Sequence, residues 1–340
     1  MHLRKILTFF LILVIRFTSA QVGGESTYQF LDLSHSARMV ALGGFQVAVK
    51  DSTDLNLPFY NPSLLAPEMS NQLLVSYVNY FSGINFGYAA YSKTFTGIGN
   101  FSLGIHYINY GDFVEATESG EITGNSFNAA EYAFTFTYSN TWERLNYGAT
   151  LKPILSVFEK YQSVGLALDA GASYGFSNGQ TMLGLVARNL GTQFTTYYSE
   201  GSKEKIPFNL MAGLSHSLSH APLVLCVTAV HLNHWDLAYD ESENEETGEF
   251  NIYAQDEPFT KQLMRHLIWG VEILPAKNFT LRAGYNYQRR QELKLEERAS
   301  TAGFSIGFGI KVNRFRFDFA TSRFHVAGSS NVFSLAVNLN

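Results

Sequence analysis

The sequence holds a single cysteine, Cys226, set in an apolar run, so no disulfide framework staples the fold. Charge is scarce: Asp, Glu, Lys and Arg make up 16% of the 340 residues, against about 25% in a typical soluble domain. Basic residues are the smaller share, 24 against 29 acidic. That balance argues against a nucleic-acid partner, which needs a basic stripe to neutralise phosphates. Past the N-terminus no apolar run reaches the roughly 18 residues of a membrane-spanning helix, which excludes a helical membrane protein. Disorder is excluded by what is present, since 46% of the chain is apolar and 15% aromatic. Mean hydropathy is nonetheless −0.03, so the hydrophobicity is either buried in a large globular core or hidden by alternation.

Residues 1–20 read as a cleaved signal peptide. His2, Arg4 and Lys5 form a basic start, Ile6 to Ile15 an apolar stretch, and Thr18-Ser19-Ala20 a small-residue cleavage site before Gln21. The stretch is too short to anchor the chain. Arg16 is a blemish in the pattern. Losing Arg4, Lys5 and Arg16 takes the basic count from 24 to 21, so the exported chain carries a net −8.

From residue 72 onward the sequence alternates with period two. Phe101, Leu103, Ile105 and Tyr107 take the odd positions of one segment, and Tyr132, Phe134, Phe136 and Tyr138 the even positions of another. Val164, Leu166, Leu168, Ala170 and Ala172 repeat the pattern, as do Phe304, Ile306, Phe308 and Ile310. Side chains on a strand point to opposite faces in turn, so each segment is a strand with one apolar face. No long stretch has the 3.6-residue period of an amphipathic helix. The chain is all-β, with about fourteen strands: 72–80, 84–95, 98–110, 130–139, 144–155, 163–176, 181–190, 207–218, 222–232, 265–274, 278–288, 300–312, 314–322 and 331–340. Many are ten residues or longer, where soluble domains average about 5–6 and membrane-spanning strands need about 9–11.

Short connections alternate with long ones. Thr96-Gly97, Ser177-Asn178-Gly179-Gln180, Pro275-Ala276-Lys277 and Asn313 are tight, whereas 111–129, 191–206, 233–264, 289–299 and 323–330 are mostly long. Only Phe81-Ser82-Gly83 is short on the long side. Short turns at one end and long loops at the other are the pattern of an outer-membrane barrel. The second face of the strands agrees. It is small or neutral (Gly165, Ala167, Gly171, Ser173, Gly303, Ser305, Gly307, Gly309), with sparse charges of both signs at Asp169, Arg188, Glu272, Arg282, Arg314, Arg316 and Asp318. A soluble sandwich tends to decorate that face with Lys and Glu. Tyr77, Tyr80, Tyr107 and Tyr110 would supply an aromatic girdle. The expected architecture is a transmembrane antiparallel β-barrel spanning residues 72–340, its lumen narrow or occupied, in the outer membrane.

Residues 21–71 do not alternate cleanly. Their order of Ser36-Ala37-Arg38, Leu42-Gly43-Gly44 and Asn61-Pro62-Ser63 resembles the start of FadL-like outer-membrane proteins. The resemblance implies a hatch folded into the lumen, with Arg38, Gly43, Gly44, Asn61 and Pro62 as its motif. A closer likeness runs along the whole exported chain. Gly23-Gly24-Glu25-Ser26-Thr27-Tyr28-Gln29-Phe30-Leu31-Asp32-Leu33, Val78-Asn79-Tyr80, Val186 to Tyr197, Arg265-His266-Leu267-Ile268, Leu281 to Tyr287 and Gly307 to Phe317 carry it, as does the final Asn338-Leu339-Asn340. In these the chain resembles the PorQ-like outer-membrane proteins of the type IX secretion system of the Bacteroidota, related to the PorV barrels. The resemblance implies a non-enzymatic component of a cell-surface attachment complex. Such a barrel holds a PorZ-like surface protein at the membrane, and through it works beside PorU-like and PorV-like components while cargo is processed and attached to lipopolysaccharide. It implies no catalytic residue. One departure concerns assembly: many outer-membrane barrels end in an aromatic residue, and here the last residue is Asn340.

Sharper readings of single motifs are weaker. Gly171-Ala172-Ser173-Tyr174-Gly175 and Gly303-Phe304-Ser305-Ile306-Gly307 match the nucleophile-elbow pattern, but both fall mid-strand, where the motif demands a strained turn before a helix. That disfavours an outer-membrane hydrolase. His216, His220, His231 and His234 are close in sequence, yet zinc needs about four converging ligands and these read as strand ends and a turn. The segment from Asp236 to Glu257 holds nine carboxylates, among them Asp240, Glu241, Glu243, Glu245, Glu246 and Glu249. It reads as a solvated loop, with partner docking as the sharper alternative. A Ca²⁺ site bridging to lipopolysaccharide stays open there, although the spacing is not that of an EF-hand. Arg314, Arg316 and Asp318 are expected on one inward face, as ion pairs fastening the hatch rather than as an anion filter. No cofactor is expected, and a lipid or detergent molecule inside the barrel is compatible with the pattern. The rival function is transport of hydrophobic small molecules through a lateral opening, as the likeness to FadL implies.

Overall fold

The computed structural model describes residues 26–117, 119, 121–198, 201–237, 242–243, 250–251, 258–293, 301–325 and 328–339. The signal segment lies outside them, as does most of the acidic loop. Fourteen antiparallel strands close into one barrel in sequence order. They are β1 (Gln72–Asn79), β2 (Asn85–Phe95), β3 (Gly99–Ala116), β4 (Ile122–Trp142), β5 (Leu145–Phe158), β6 (Tyr161–Gly175), β7 (Thr181–Thr195), β8 (Asn209–Ser217), β9 (Leu223–Ala229), β10 (Leu267–Ala276), β11 (Phe279–Asn286), β12 (Phe304–Val312), β13 (Phe315–His325) and β14 (Gly328–Asn338). β14 returns to pair with β1, from Gln72 opposite Asn338 to Asn79 opposite Asn331. A two-residue pair, Ser242–Glu243 with Phe250–Asn251, lies outside the wall.

The alternation seen in the sequence is the alternation of outside and inside. On β1, Leu73, Val75 and Tyr77 face out while Leu74, Ser76 and Val78 are buried. The outward set is apolar all round the barrel, and the inward set is dominated by Ser, Thr, Gly and a few charges. That inversion is what lipid requires of a wall whose backbone groups must all pair within the sheet. On β4 the ten-residue step from Trp142 to Tyr132, at about 3.3 Å per residue and a tilt of about 40°, rises about 25 Å, the height of such a barrel's apolar band. Tyr107 lies opposite Tyr132 in the ladder, and Trp269 opposite Tyr285, whose ring meets Phe304 at 4.7 Å. Tyr77 faces lipid as expected, but Tyr80 and Tyr110 turn inward against the core, and the Tyr110 hydroxyl donates to Glu131 Oε2 at 2.6 Å.

Two features depart from the sequence reading. The ladder of β3 and β4 continues to Ala116 and Ile122, through most of the stretch expected as loop 111–129. Two helices also stand mostly within the expected loops 233–264 and 289–299 and take two residues from each neighbouring strand: α3 (Phe259–His266) before β10 and α4 (Tyr287–Glu292) after β11.

Residues 26–71 fill the lumen as short helices and turns. α1 (Ala37–Ala41) is capped by Ser36, whose hydroxyl accepts from Met39 N, and α2 (Leu57–Tyr60) follows further on. Three 3₁₀ turns, Gln29–Asp32, Pro62–Leu64 and Pro67–Met69, complete the segment. Its apolar side chains, among them Phe30, Leu31, Met39, Leu42, Phe59 and Tyr60, form the core with inward wall residues such as Phe86, Ile108, Cys226 and Ala336. The closing strand also grips it, because Ala37 N donates to Ser334 Oγ at 3.0 Å and that hydroxyl bonds Ser76 on β1 at 2.8 Å.

Candidate functional site

The hatch is fastened to the wall by seven charged side chains. Arg38 on α1 donates from Nε and Nη2 to the two oxygens of Glu272 on β10, at 2.8 and 2.7 Å. Its Nη1 reaches Asp51 at 2.6 Å and Asp54 at 3.1 Å. Arg316 on β13 holds the same two hatch carboxylates at 2.9 and 3.2 Å. Arg282 on β11 joins Glu272 at 2.8 Å to Asp318 at 2.6 Å, and Asp318 accepts from Arg316 at 2.9 Å. Three guanidiniums therefore serve four carboxylates, all buried except the partly buried Asp51. Burial alone pushes Asp51 and Asp54 up, but Arg316 and Arg38 override it and hold both carboxyls below their usual range. The hydrogen-bonded network is what lets these charges stay inside.

A second buried cluster lies under the first residues of the hatch. Lys152 on β5 meets Asp169 on β6 at 2.6 Å and donates to Asn189 Oδ1 at 2.8 Å. Asn189 donates onward to Asp32 in the hatch at 3.1 Å, and Arg188 Nη2 to Leu31 O at 3.2 Å. The Arg188 guanidinium sits over the rings of Phe45 and Phe59, 5.2 and 5.1 Å from their centroids. Burial pushes the Asp32 carboxyl up to about 6, against Arg188 and Lys152. His35 stacks on Tyr88 at 4.4 Å and lies 5.4 Å from His106. Among the described residues neither ring nitrogen of either histidine has a hydrogen-bond partner, and burial holds the His35 imidazole well below its ordinary value.

Next to this cluster the wall has a seam. β7 pairs with β6 as far as Thr195, but with β8 only from Thr181 to Arg188. Asn189, at φ 57°, marks the break, where its N–H turns to Asp169 Oδ1 at 2.8 Å. Beyond it the gap is bridged by single bonds: Asn189 Nδ2 to Pro207 O at 3.1 Å and Glu204 N to Gln193 Oε1 at 3.0 Å. The hatch reaches the same gap, where Thr27 N donates to Lys205 O at 2.9 Å, and beside it Tyr28 is bonded to Ser163 on β6 at 2.5 Å.

The motif residues singled out in the sequence lie in the lumen and meet small wall residues. Gly43 (φ 99°) and Gly44 (φ 122°) end α1 in the left-handed region that favours glycine. A Cβ on Gly284 of β11 would collide with Gly43 N and the Leu42 carbonyl carbon, so the two backbones touch. Asn61 caps the Pro62 turn, accepting from Ser63 N at 3.1 Å and donating to Val47 O at 2.8 Å. Gly171 makes room for its side chain. The two serine motifs are wall positions of the same kind: Ser305 donates to Ala41 O at 3.1 Å, and Ser173 accepts from Asn146 at 3.2 Å. Arg316 and Asp318 join the latch, whereas Arg314 is exposed in the turn between β12 and β13. His216 ends β8 at the short-turn end and His231 follows β9 at the other, so the four histidines do not converge. Of the acidic loop, Asp240, Glu241, Glu245, Glu246 and Glu249 lie outside the described residues, and Glu243 is placed only by its backbone. Lys152, Asp32, Asp51 and Asp54 were not singled out by the sequence, and nothing in their spacing marks them.

No protein-family model and no curated relative matches the sequence. Solved structures do. The TodX monoaromatic hydrocarbon channel, in its deltaS2 mutant, superposes with a TM-score of 0.54 at 15% identity, covering 91% of this chain and 100% of that one. The Ralstonia pickettii toluene transporter TbuX gives 0.52 at 12% identity over 92% and 100%. The Pseudomonas putida toluene transporter TodX gives 0.50 at 15% over 89% and 96%. The fold is FadL-like. Its architecture is that of outer-membrane proteins, and these FadL-like neighbours are channels and transporters rather than enzymes. Identities this low establish the FadL-like fold and leave function to the site.

Proposed function

We propose that this FadL-like barrel works in the outer membrane by binding, as a fixed anchor for a surface partner. The observation that carries the reading is the latch: Arg38, Asp51 and Asp54 of the hatch are held to Glu272, Arg282, Arg316 and Asp318 of three wall strands. Moving the hatch leaves several buried charges unpaired, at about 3–5 kcal/mol for each pair broken. A plug held that firmly belongs to the wall. The resemblance to PorQ-like proteins gives the role its content: holding a PorZ-like protein at the cell surface, beside PorU-like and PorV-like components, while secreted cargo is attached to lipopolysaccharide.

The second reading is conduction of hydrophobic small molecules, and the likeness to toluene transporters lends its weight there. The seam between β7 and β8 favours it independently. Residues 26–33 are held beside that gap by backbone hydrogen bonds and by the Tyr28 and Asp32 side chains, not by the latch. Deleting the chain in its own host separates the two. Anchoring predicts that secreted cargo is lost from the surface and that uptake of labelled oleate and toluene is unchanged. Unchanged cargo with impaired uptake overturns it in favour of conduction.

A further inference from the structure

The hairpin of β3 and β4 outgrows the barrel. β2 pairs with β3 only as far as Asn109, and β5 with β4 only as far as Ala129. Glu159 N still donates to Asn128 O at 3.3 Å, but among the described residues the ribbon 111–127 beyond it has two strand edges with no ladder partner. A free edge presents a row of N–H and C=O groups that templates another strand. Apolar side chains accompany the edges. Val114 is 63% exposed and Ile122 73%. Ile122 lies opposite Ala116, two residues along β3 from Val114 and across one register shift. Ala116 is nine residues past Tyr107, which puts the ribbon tip about 23 Å above the aromatic ring at about 3.3 Å per residue and 40° of tilt. Acyl chains do not reach there.

Charge selects the occupant. Asp112, Glu115, Glu118 and Glu121 lie in this stretch, with no Lys or Arg between residues 111 and 128. A phosphate-bearing membrane surface is repelled by such a ribbon, and so is the same ribbon of a second copy. We propose that the ribbon is the docking edge for an exported protein that adds a β-strand flanked by lysine or arginine. Main-chain hydrogen bonds to the edge supply the affinity, Val114 and Ile122 the apolar contact, and the acids the choice of partner. The proposal rests on the anchoring reading and names its surface.

The test uses the full chain in intact cells, with the photoreactive residue p-benzoylphenylalanine replacing Val114 or Ile122. The expected result is a discrete ultraviolet-dependent adduct with one exported protein, whose cross-linked peptide carries Lys or Arg beside the contact. Its yield falls at least several-fold in the variant Glu115→Lys with Glu121→Lys. An adduct with a second copy, with lipid only, or none at all while the same probe at lipid-facing Phe136 reacts, overturns the proposal. A second variant replaces residues 112–127 with an Asn-Gly turn and is checked for a folded barrel by heat-shifted mobility on gels. If whole-chain deletion abolishes surface attachment of cargo but this variant retains it, the ribbon proposal fails and anchoring stands. If whole-chain deletion leaves attachment intact, anchoring fails, and the cross-link still decides what the ribbon touches.

Discussion

Replacing Arg38 by methionine tests the latch at its centre. Arg38 bonds three carboxylates, Asp51, Asp54 and Glu272, at 2.6 to 3.1 Å. Without it, Arg282 and Arg316 must serve those three and Asp318 as well. Removing one partner from a buried ion pair costs about 3–5 kcal/mol, and each ~1.4 kcal/mol is a factor of ten. If the loss falls on hatch closure alone, the open population rises by roughly 10² to 10⁴. The chain carries its own reporter. Cys226, its only cysteine, is buried and belongs to the same core cluster as Met39, Leu42 and Val49 of the hatch. A hatch that opens exposes the thiol to lumen water. The assay is the rate of Cys226 modification by a membrane-impermeant maleimide, with the protein in detergent micelles and the barrel checked by heat-shifted gel mobility. Arg38→Met is expected to speed labelling by at least 10²-fold with the barrel still folded. Arg38→Lys keeps the charge but loses the two-pronged bond to Glu272, and should fall between. Labelling within about threefold of the parent refutes the latch argument, because it means that packing rather than ion pairing holds the hatch.

Other consequences are as direct. Gly284→Val forces the backbone at Leu42 and Gly43 off the wall; it should raise Cys226 labelling and lower the unfolding temperature, while Ala283→Val on the outer face does neither. Asn61→Ala removes the cap on Ser63 N and the bond to Val47 O. It should cost about 1–2 kcal/mol, read from the urea midpoint of Cys226 exposure. Asp32, with its carboxyl pushed up to about 6 by burial, binds a proton more readily in the folded chain than in an unfolded one. The hold on residues 26–33 is therefore fullest below about pH 4, falls as the pH rises to about 6 and is level above. Amide-exchange protection of those residues, corrected for intrinsic rates, should follow that curve and lose it in Asp32→Asn.

Much of this architecture is written in period two. The alternation of Phe101 to Tyr107 or Phe304 to Ile310 specifies strand and facing together, because one outward position in two must meet lipid. The ribbon above Asn109 escaped the same reading. Its stretch is polar, holds glycines at 111, 120 and 124, and shifts register twice, so no single alternation survives. α3 and α4 are eight and six residues long, too short for a 3.6-residue period to show against neighbouring strands. Half of the latch was legible. Arg38 stood in the hatch motif, and Glu272, Arg282, Arg316 and Asp318 stood out as charges on a small-residue face. Which hatch acids they meet depends on closing the barrel around residues more than 200 positions away, and local spacing carries no trace of it. Arg314 shows the opposite error: it shares the parity of Arg316, but a strand that begins one residue later leaves it in a turn.

The hydrogen bond from Ala37 to Ser334 has a temporal side. Ser334 sits on the last strand of the barrel, Ala37 near the beginning of the hatch, and Ser76 on the strand that β14 must find in order to close. The contact that seats α1 and the contact that seals the cylinder are thus made at one point. A cylinder sealed empty would leave the whole segment 26–71 to be threaded into a finished lumen against the latch's desolvation cost. The hatch is better understood as the mandrel on which the final strand comes to rest, which makes maturation of the barrel and occupation of its interior a single event.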